Sequence, residues 1–195
     1  MNTIILTKKN PVISLKKESV VGKIGINLNW NQKKGFFASV LGTNADLDLG
    51  CLYELKNGRK GCVQALGNAF GSLQSEPYIK LDHDDRTGES DSGENMDVNA
   101  SKWNHIQRVL VFAYIYNGVS NWNGIDGVVT VKVAGHEDIV VNMENAQNGK
   151  TMCAIAMLEN DNGSIKVTRL EEYFKGHEAM DRAHGWNMNW TPGRK

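Results

Sequence analysis

The sequence predicts an all-β protein: a two-sheet antiparallel β-sandwich of about nine or ten strands, finished by a short C-terminal helix. Three observations carry that expectation. Apolar and polar residues alternate with period two, as a strand with one wet face requires, and Ile24-Gly-Ile-Asn-Leu-Asn-Trp30 does so without a fault. Asn-Gly or Asp-Asn-Gly steps punctuate the segments at Asn57-Gly58, Asn148-Gly149 and Asp161-Asn-Gly163, and Asn-Gly is the strongest short-range hairpin signal. The strands are more than one flat open sheet comfortably holds, so two packed sheets are expected.

Taken in order, Val12 to Leu15 reads as an N-terminal strand, followed by the alternating run from Ile24 to Trp30. Leu49 to Leu55 and Gly61 to Leu66 flank Asn57-Gly58 as the arms of a hairpin. With a two-residue loop Cys51 faces Gln64 and Cys62 faces Tyr53, which makes the two cysteines diagonal neighbours on one face. That placement suits small core residues or an oxidant-sensing thiol pair. Ile106 to Tyr116 is nearly all apolar (Val109-Leu-Val-Phe-Ala-Tyr-Ile) and reads as a central strand covered on both faces. Val128 to Val133, Ile139 to Met143, Met152 to Leu158 and Ser164 to Leu170 complete the strands. Helical signal is confined to the end, where a short helix from about His177 to His184 follows Gly176 within a C-terminal helix and tail of about 171–195. With no internal repeat and no linker, residues 1–195 read as a single domain, long enough to bury a core.

Composition narrows the function. Basic and acidic residues balance at 22 each, so no global charge points to nucleic acid or a membrane surface. Three cysteines without a CxxC pair form neither a disulfide framework nor a structural zinc site. The opening apolar run is too short for a signal-peptide core, and no stretch approaches the roughly 18 apolar residues that span a bilayer. The expectation is a reduced, cytoplasmic protein. Nucleophile elbow, P-loop and dinucleotide fingerprints are all missing from the sequence, so binding rather than catalysis is expected.

The balanced total hides a local excess. From Asp82 to Asp97 seven acids (Asp82, Asp84, Asp85, Glu89, Asp91, Glu94 and Asp97) stand against one base, Arg86, for a local charge of minus six. Calcium takes six to eight oxygen ligands from carboxylates, carbonyls and water, and this run combines carboxylates with the turn-forming Gly88 and Gly93. Without a cation each close like-charge pair costs about 1 kcal/mol or more at surface-like dielectric. Asp46-Leu-Asp48 adds two carboxylates that project from one side of an extended segment. The spacing is not that of an EF-hand, and magnesium suits so many carboxylates less well. Two readings of the run stand on residues alone: a calcium loop and a solvated acidic loop. Clustered acids suit a metal better than glycoside cleavage, which needs two carboxyls facing each other across a cleft.

Other chemistry-bearing residues are scattered. His83, His105, His136, His177 and His184 read as surface or satisfied histidines, with the last two too far apart to share a metal. Trp122, in Ser120-Asn-Trp-Asn-Gly124, reads as an exposed ring in a possible ligand loop.

Several motifs together resemble the TerD-domain family of tellurium-resistance proteins. They are Ala45-Asp-Leu-Asp-Leu-Gly-Cys51, Gly88-Glu-x-Asp91 within the acidic run, the apolar strand entered from Trp103-Asn-His-Ile, and the opening Ile5-Leu-Thr-Lys, Ile13-Ser-Leu and Ile26-Asn-Leu-Asn-Trp30. Gln64-Ala-Leu-Gly-Asn-Ala-Phe-Gly71, Asp84-Asp-Arg-Thr-Gly88 and Gly176-His-x-x-Met-Asp-Arg-Ala-x-Gly-Trp186 are most similar to its TerA-like branch. The resemblance covers essentially the whole chain. It implies a calcium-loaded β-sandwich in a tellurite and chemical stress response. Its implied ligand set is Asp46, Asp48, Asp84, Asp85, Gly88, Glu89, Asp91 and Glu94. Implied partners are other tellurium-resistance or stress proteins, with any peripheral contact with a membrane made through them and none with nucleic acid. The alternative is calcium-dependent binding of a carbohydrate or nucleotide-like small ligand around Trp122. Two positions depart from the family pattern: His83 replaces a glycine, and Asn31 replaces an acid after the early tryptophan.

Overall fold

The computed structural model describes residues 3–16, 22–32, 46–82, 93–117, 122, 125–144, 147 and 149–192. Among them are thirteen strands and one α-helix: β1 (Thr3–Leu6), β2 (Val12–Leu15), β3 (Lys23–Gln32), β4 (Asp46–Leu55), β5 (Lys60–Val63), β6 (Gly71–Ser72), β7 (Ile79–Leu81), β8 (Glu94–Asn99), β9 (Ile106–Asn117), β10 (Ile125–Val133), β11 (Asp138–Asn142), β12 (Met152–Asp161), β13 (Ser164–Phe174) and α1 (His177–Ala183). One sheet runs β1-β11-β10-β3-β8-β7-β6 and the other β2-β13-β12-β9-β4-β5. Every pair is antiparallel except β1 with β11. The nine strands read from the sequence are all present. The four it did not reveal are β1, β6, β7 and β8, three of them four residues or shorter.

Alternation sets the core. Ile24, Ile26, Leu28 and Trp30 of β3 and Val129, Val131 and Val133 of β10 meet Val109, Val111 and Ala113 of β9 between the sheets. β8 follows the same rule at the end of the acidic run, with Glu94, Met96 and Val98 buried and the residues between them half-buried. Where β13 runs on past its pairing with β2, Arg169 and Glu171 form a buried ion pair that also engages Glu144. Among the described residues no helix is long and apolar enough to cross a membrane.

The β4–β5 hairpin departs from the expected register. Leu55 N–H donates to Arg59 O at 2.8 Å, so the loop is Lys56-Asn57-Gly58, three residues with Gly58 at φ +85°. A slip of one residue exchanges the faces of a strand: Cys51 pairs with Val63 and Leu52 with Cys62. Cys51 joins the core between the sheets and Cys62 packs on the opposite face, so the two thiols are not neighbours on one face. Burial pushes the Cys51 thiol up to about 12 and raises that of Cys153, which disfavours reactive thiolates.

β9 is covered on both faces, as expected. Its outward residues Leu110, Phe112 and Tyr114 form a second apolar cluster with Leu52 of β4 and Met152 of β12. The cover over that cluster is α1 and the segment after it. Trp186 is buried and donates Nε1–H to Tyr53 O at 3.0 Å, with the Arg108 guanidinium 3.7 Å above its ring. Asp181, itself buried, accepts from Met188 N–H at 3.0 Å and from Trp190 Nε1–H at 2.8 Å. At the start of α1, His177 packs its ring against Phe112, Tyr114 and Trp190, with Nε2 2.7 Å from Gln64 Oε1. His184 pairs with Glu172. The His177 ring is therefore satisfied within the cover.

Burial pulls His177 down to about 4 from 6.5. Between those values the unfolded chain binds a proton that the folded protein does not. Stability is therefore complete above pH 6.5 and declines as pH falls toward 4, by about 3 kcal/mol from this one group. Urea unfolding at pH 7 and pH 4.5 is expected to show this loss, and a His177→Phe variant is expected to show much less of it.

Candidate metal centre

β4 enters the sheet with Asp46-Leu-Asp, and its residues alternate between the two faces. Asp48 lies directly opposite Tyr114 of β9, with Asp48 fully buried and Tyr114 nearly so. β5 pairs with β4 only from Cys51 to Glu54, which leaves the first residues of β4 beyond the reach of that edge strand. Glu94, the first residue of β8 in the opposite sheet, comes in there. Its Oε2 accepts the Leu49 N–H, and its side chain retains 1% exposure. The end of the acidic run and the Asp-x-Asp segment, 45 residues apart, thus meet in space.

Gly93 fixes that approach. It has φ +62°, and a Cβ on it would lie 2.2 Å from Leu28 O. Only glycine tolerates both the left-handed backbone and such close contact with β3. Tyr114 completes the group. Burial first, then the nearby charges of Asp48 and Glu94, push its phenol far above the usual range.

Of the expected ligands, Asp48 and Glu94 are both buried, and Glu94 reaches the amide of the residue next to Asp48. The Asp46 backbone pairs with Asn117, but its side chain lies outside the described residues, as do Asp84, Asp85, Gly88, Glu89 and Asp91. His83 and the Asn31 side chain lie outside them too. Among the described residues no group of three or more His, Cys, Asp or Glu side chains is placed to hold a metal. In chemistry the two described acids fit a hard cation. Two carboxylates withdrawn from water repel more strongly than at the surface, and a divalent ion with oxygen ligands offsets that cost.

Trp122 is not the exposed ring expected. It is 4% exposed, donates Nε1–H to Lys150 O at 2.9 Å and packs edge-on against Tyr173. Its polar edge is satisfied by backbone and its face by another ring, so it offers no surface on which a ligand could stack. Tyr114 was not among the expected site residues. Tyr114 sits in an unbroken apolar run, where only its register with Asp48 reveals a polar neighbour.

No protein-family model matches the chain. It is similar over its whole length to a tellurium resistance protein TerA from Alcaligenes sp., 46% identical over 200 residues, and spans 59% of that relative's length. Its fold is similar to the crystal structure of a homologue of the telluride resistance protein TerD from Streptomyces coelicolor A3(2), with 17% identity and a TM-score of 0.56 over 83% of this chain and 95% of that one. A protein of unknown function matches with 16% identity and the same TM-score, over 83% and 94% of the two chains.

The fixed approach at Gly93 has a measurable consequence. Gly58, at φ +85° with nothing within 4 Å of an added Cβ, serves as the control. Gly58→Ala is expected to cost about 1–2 kcal/mol for its backbone alone. Gly93→Ala adds a backbone collision and is expected to cost clearly more, as read from urea midpoints of the two variants.

Proposed function

We propose, from the premise that the chain belongs to the TerD-domain family of tellurium-resistance proteins, that it is a calcium-binding module of a tellurite and chemical stress response. It acts by binding rather than by catalysis, in the cytoplasm, as a structural or sensing part of an assembly with other stress proteins. The observation that carries this reading is the hydrogen bond from the Leu49 amide to Glu94, which sets a buried carboxylate of β8 against the residue next to the buried Asp48.

In this reading Asp48 and Glu94 form the inner wall of the site. Asp46 and the acidic run with Asp84, Asp85, Gly88, Glu89 and Asp91 supply the remaining oxygens. Calcium, when bound, supplies charge neutralisation. The chain's own contribution is to hold its share of the donors in place: Leu49 N–H fixes Glu94, and the β4–β9 register fixes Asp48 beside Tyr114. Tellurium oxyanions are not the direct ligand, because carboxylates repel an anion. The buried Trp122 supports no carbohydrate or nucleotide-like ligand there.

Calorimetric titration with calcium chloride tests this reading. The wild type is expected to bind, and Asp48→Asn and Glu94→Gln to bind at least about tenfold more weakly, the scale of one lost charged contact. A hundredfold excess of calcium over its dissociation constant stabilises the folded state by about 2.7 kcal/mol. That should raise the melting temperature by roughly 5–10 °C over a chelator-treated sample. Absence of binding heat, with superimposable melts, rejects the proposal.

A further inference from the structure

The cover over the outer face of the β4–β9–β12 sheet begins where the acids end. Tyr114 stands across the β4–β9 ladder from Asp48, and both residues are buried. Its ring meets His177 at a centroid distance of 5.3 Å, and His177 meets Trp190 at 5.0 Å. Trp190 in turn donates its indole N–H to Asp181, which also holds the Met188 amide. Direct contact therefore runs without a gap from the acidic end of the sandwich to the segment after α1. That segment is held by side chains and single backbone turns rather than by strand pairing: besides the Asp181 carboxylate contacts, by Trp186 N–H to Asp181 O at 3.1 Å, Trp186 Nε1–H to Tyr53 O, Lys60 Nζ to Trp186 O at 3.1 Å, Arg108 to the carbonyls of His184 and Gly185, and His184 beside Glu172. It is thus a short cover that can open locally while the sheets stay folded.

We propose that Tyr114 links the two regions, so that a cation held by Asp48 and Glu94 and the docking of residues 184–190 stabilise each other. The inference rests on the calcium reading given above and adds its regulation. The physics is reciprocal. The docked segment helps close the face bearing Asp48 and Tyr114 to water, and lower local dielectric strengthens the attraction of carboxylates for a cation. A held Asp48 in turn fixes the phenol, whose ring is part of the surface on which His177 and Trp190 pack. Thermodynamic linkage then requires the two effects to be equal: whatever factor calcium adds to docking, docking adds to calcium affinity. Calcium would thereby report itself at a site on the outer face of the protein, where a partner can read whether the segment is down.

Hydrogen–deuterium exchange of the whole chain, with calcium chloride or with chelator, reads the docked state through the amides of residues 184–190, including the Met188 N–H on Asp181. Calcium is expected to slow their exchange by about fivefold or more, the low end of ordinary coupling energies. Asp181→Asn, far along α1 from the acids, is expected to weaken calcium binding in calorimetry by the same factor. Tyr114→Phe, which keeps the ring and removes the hydroxyl, is expected to lose most of the slowing and, by the same linkage, to bind calcium about fivefold more weakly. Where Asp181→Asn does not fold, Trp190→Phe removes one of the same hydrogen bonds more gently and gives the same reading. If calcium binds the wild type but leaves exchange at 184–190 unchanged, or if the folded Asp181 or Trp190 variant keeps wild-type affinity, the coupling is overturned and the calcium reading stands. If the wild type takes up no calcium, both fall together.

Discussion

Two carboxylates withdrawn from water at one end of a β-sandwich set the terms for the rest of this molecule. Asp48 is fully buried and Glu94 nearly so, and negative charge in such a place must be matched by hydrogen bonds or by a cation. The arrangement around them follows from that need. Leu49 donates its amide across the gap between the sheets, Gly93 lets the chain turn against β3 just before Glu94, and Tyr114 stands across the ladder from Asp48. Each belongs to a different strand or to the turn ahead of one, so the site is assembled by the tertiary fold and not by a local motif.

The outer face of the second sheet answers a different demand. A sandwich usually leaves outward faces to water, yet β9 turns Leu110, Phe112 and Tyr114 outward. Those side chains need a cover, and α1 with the segment around Trp186 and Trp190 provides it. The buried Asp181 is the hub of that cover, because it satisfies both a backbone amide and an indole of the returning chain. His177 remains neutral between aromatic rings, since protonation there would place a charge where little water reaches it. Tyr114, opposite Asp48 on the ladder and against His177 on the outer face, belongs to both the acidic end and the apolar cover.

How much of this was legible in the sequence differs by element. The long strands were plain, because period-two alternation is imposed by the same burial that holds them together, and a run such as Ile106 to Tyr116 is apolar on both faces for the reason found. β8 was hidden because its alternation starts inside an acidic stretch, where Glu94 occupies a position otherwise given to an apolar residue. The hairpin was found but its register was not. Asn57-Gly58 signals a turn without fixing whether Lys56 belongs to the loop, and that one residue separated the two thiols. Trp122 looked exposed because its neighbours are polar, whereas Tyr173, the ring that buries it, lies 51 positions later in the sequence. Asp48 and Glu94 could be nominated from residue type and from family resemblance. Their meeting depends on where β5 stops pairing, which no spacing rule records.

The most direct measurement is anomalous X-ray scattering from crystals of this protein grown with calcium. The account predicts a peak about 2.3–2.6 Å from carboxylate oxygens of Asp48 and Glu94, at the end of the sandwich where β4 and β8 begin. Well-diffracting crystals with calcium present and no peak at that position would contradict it.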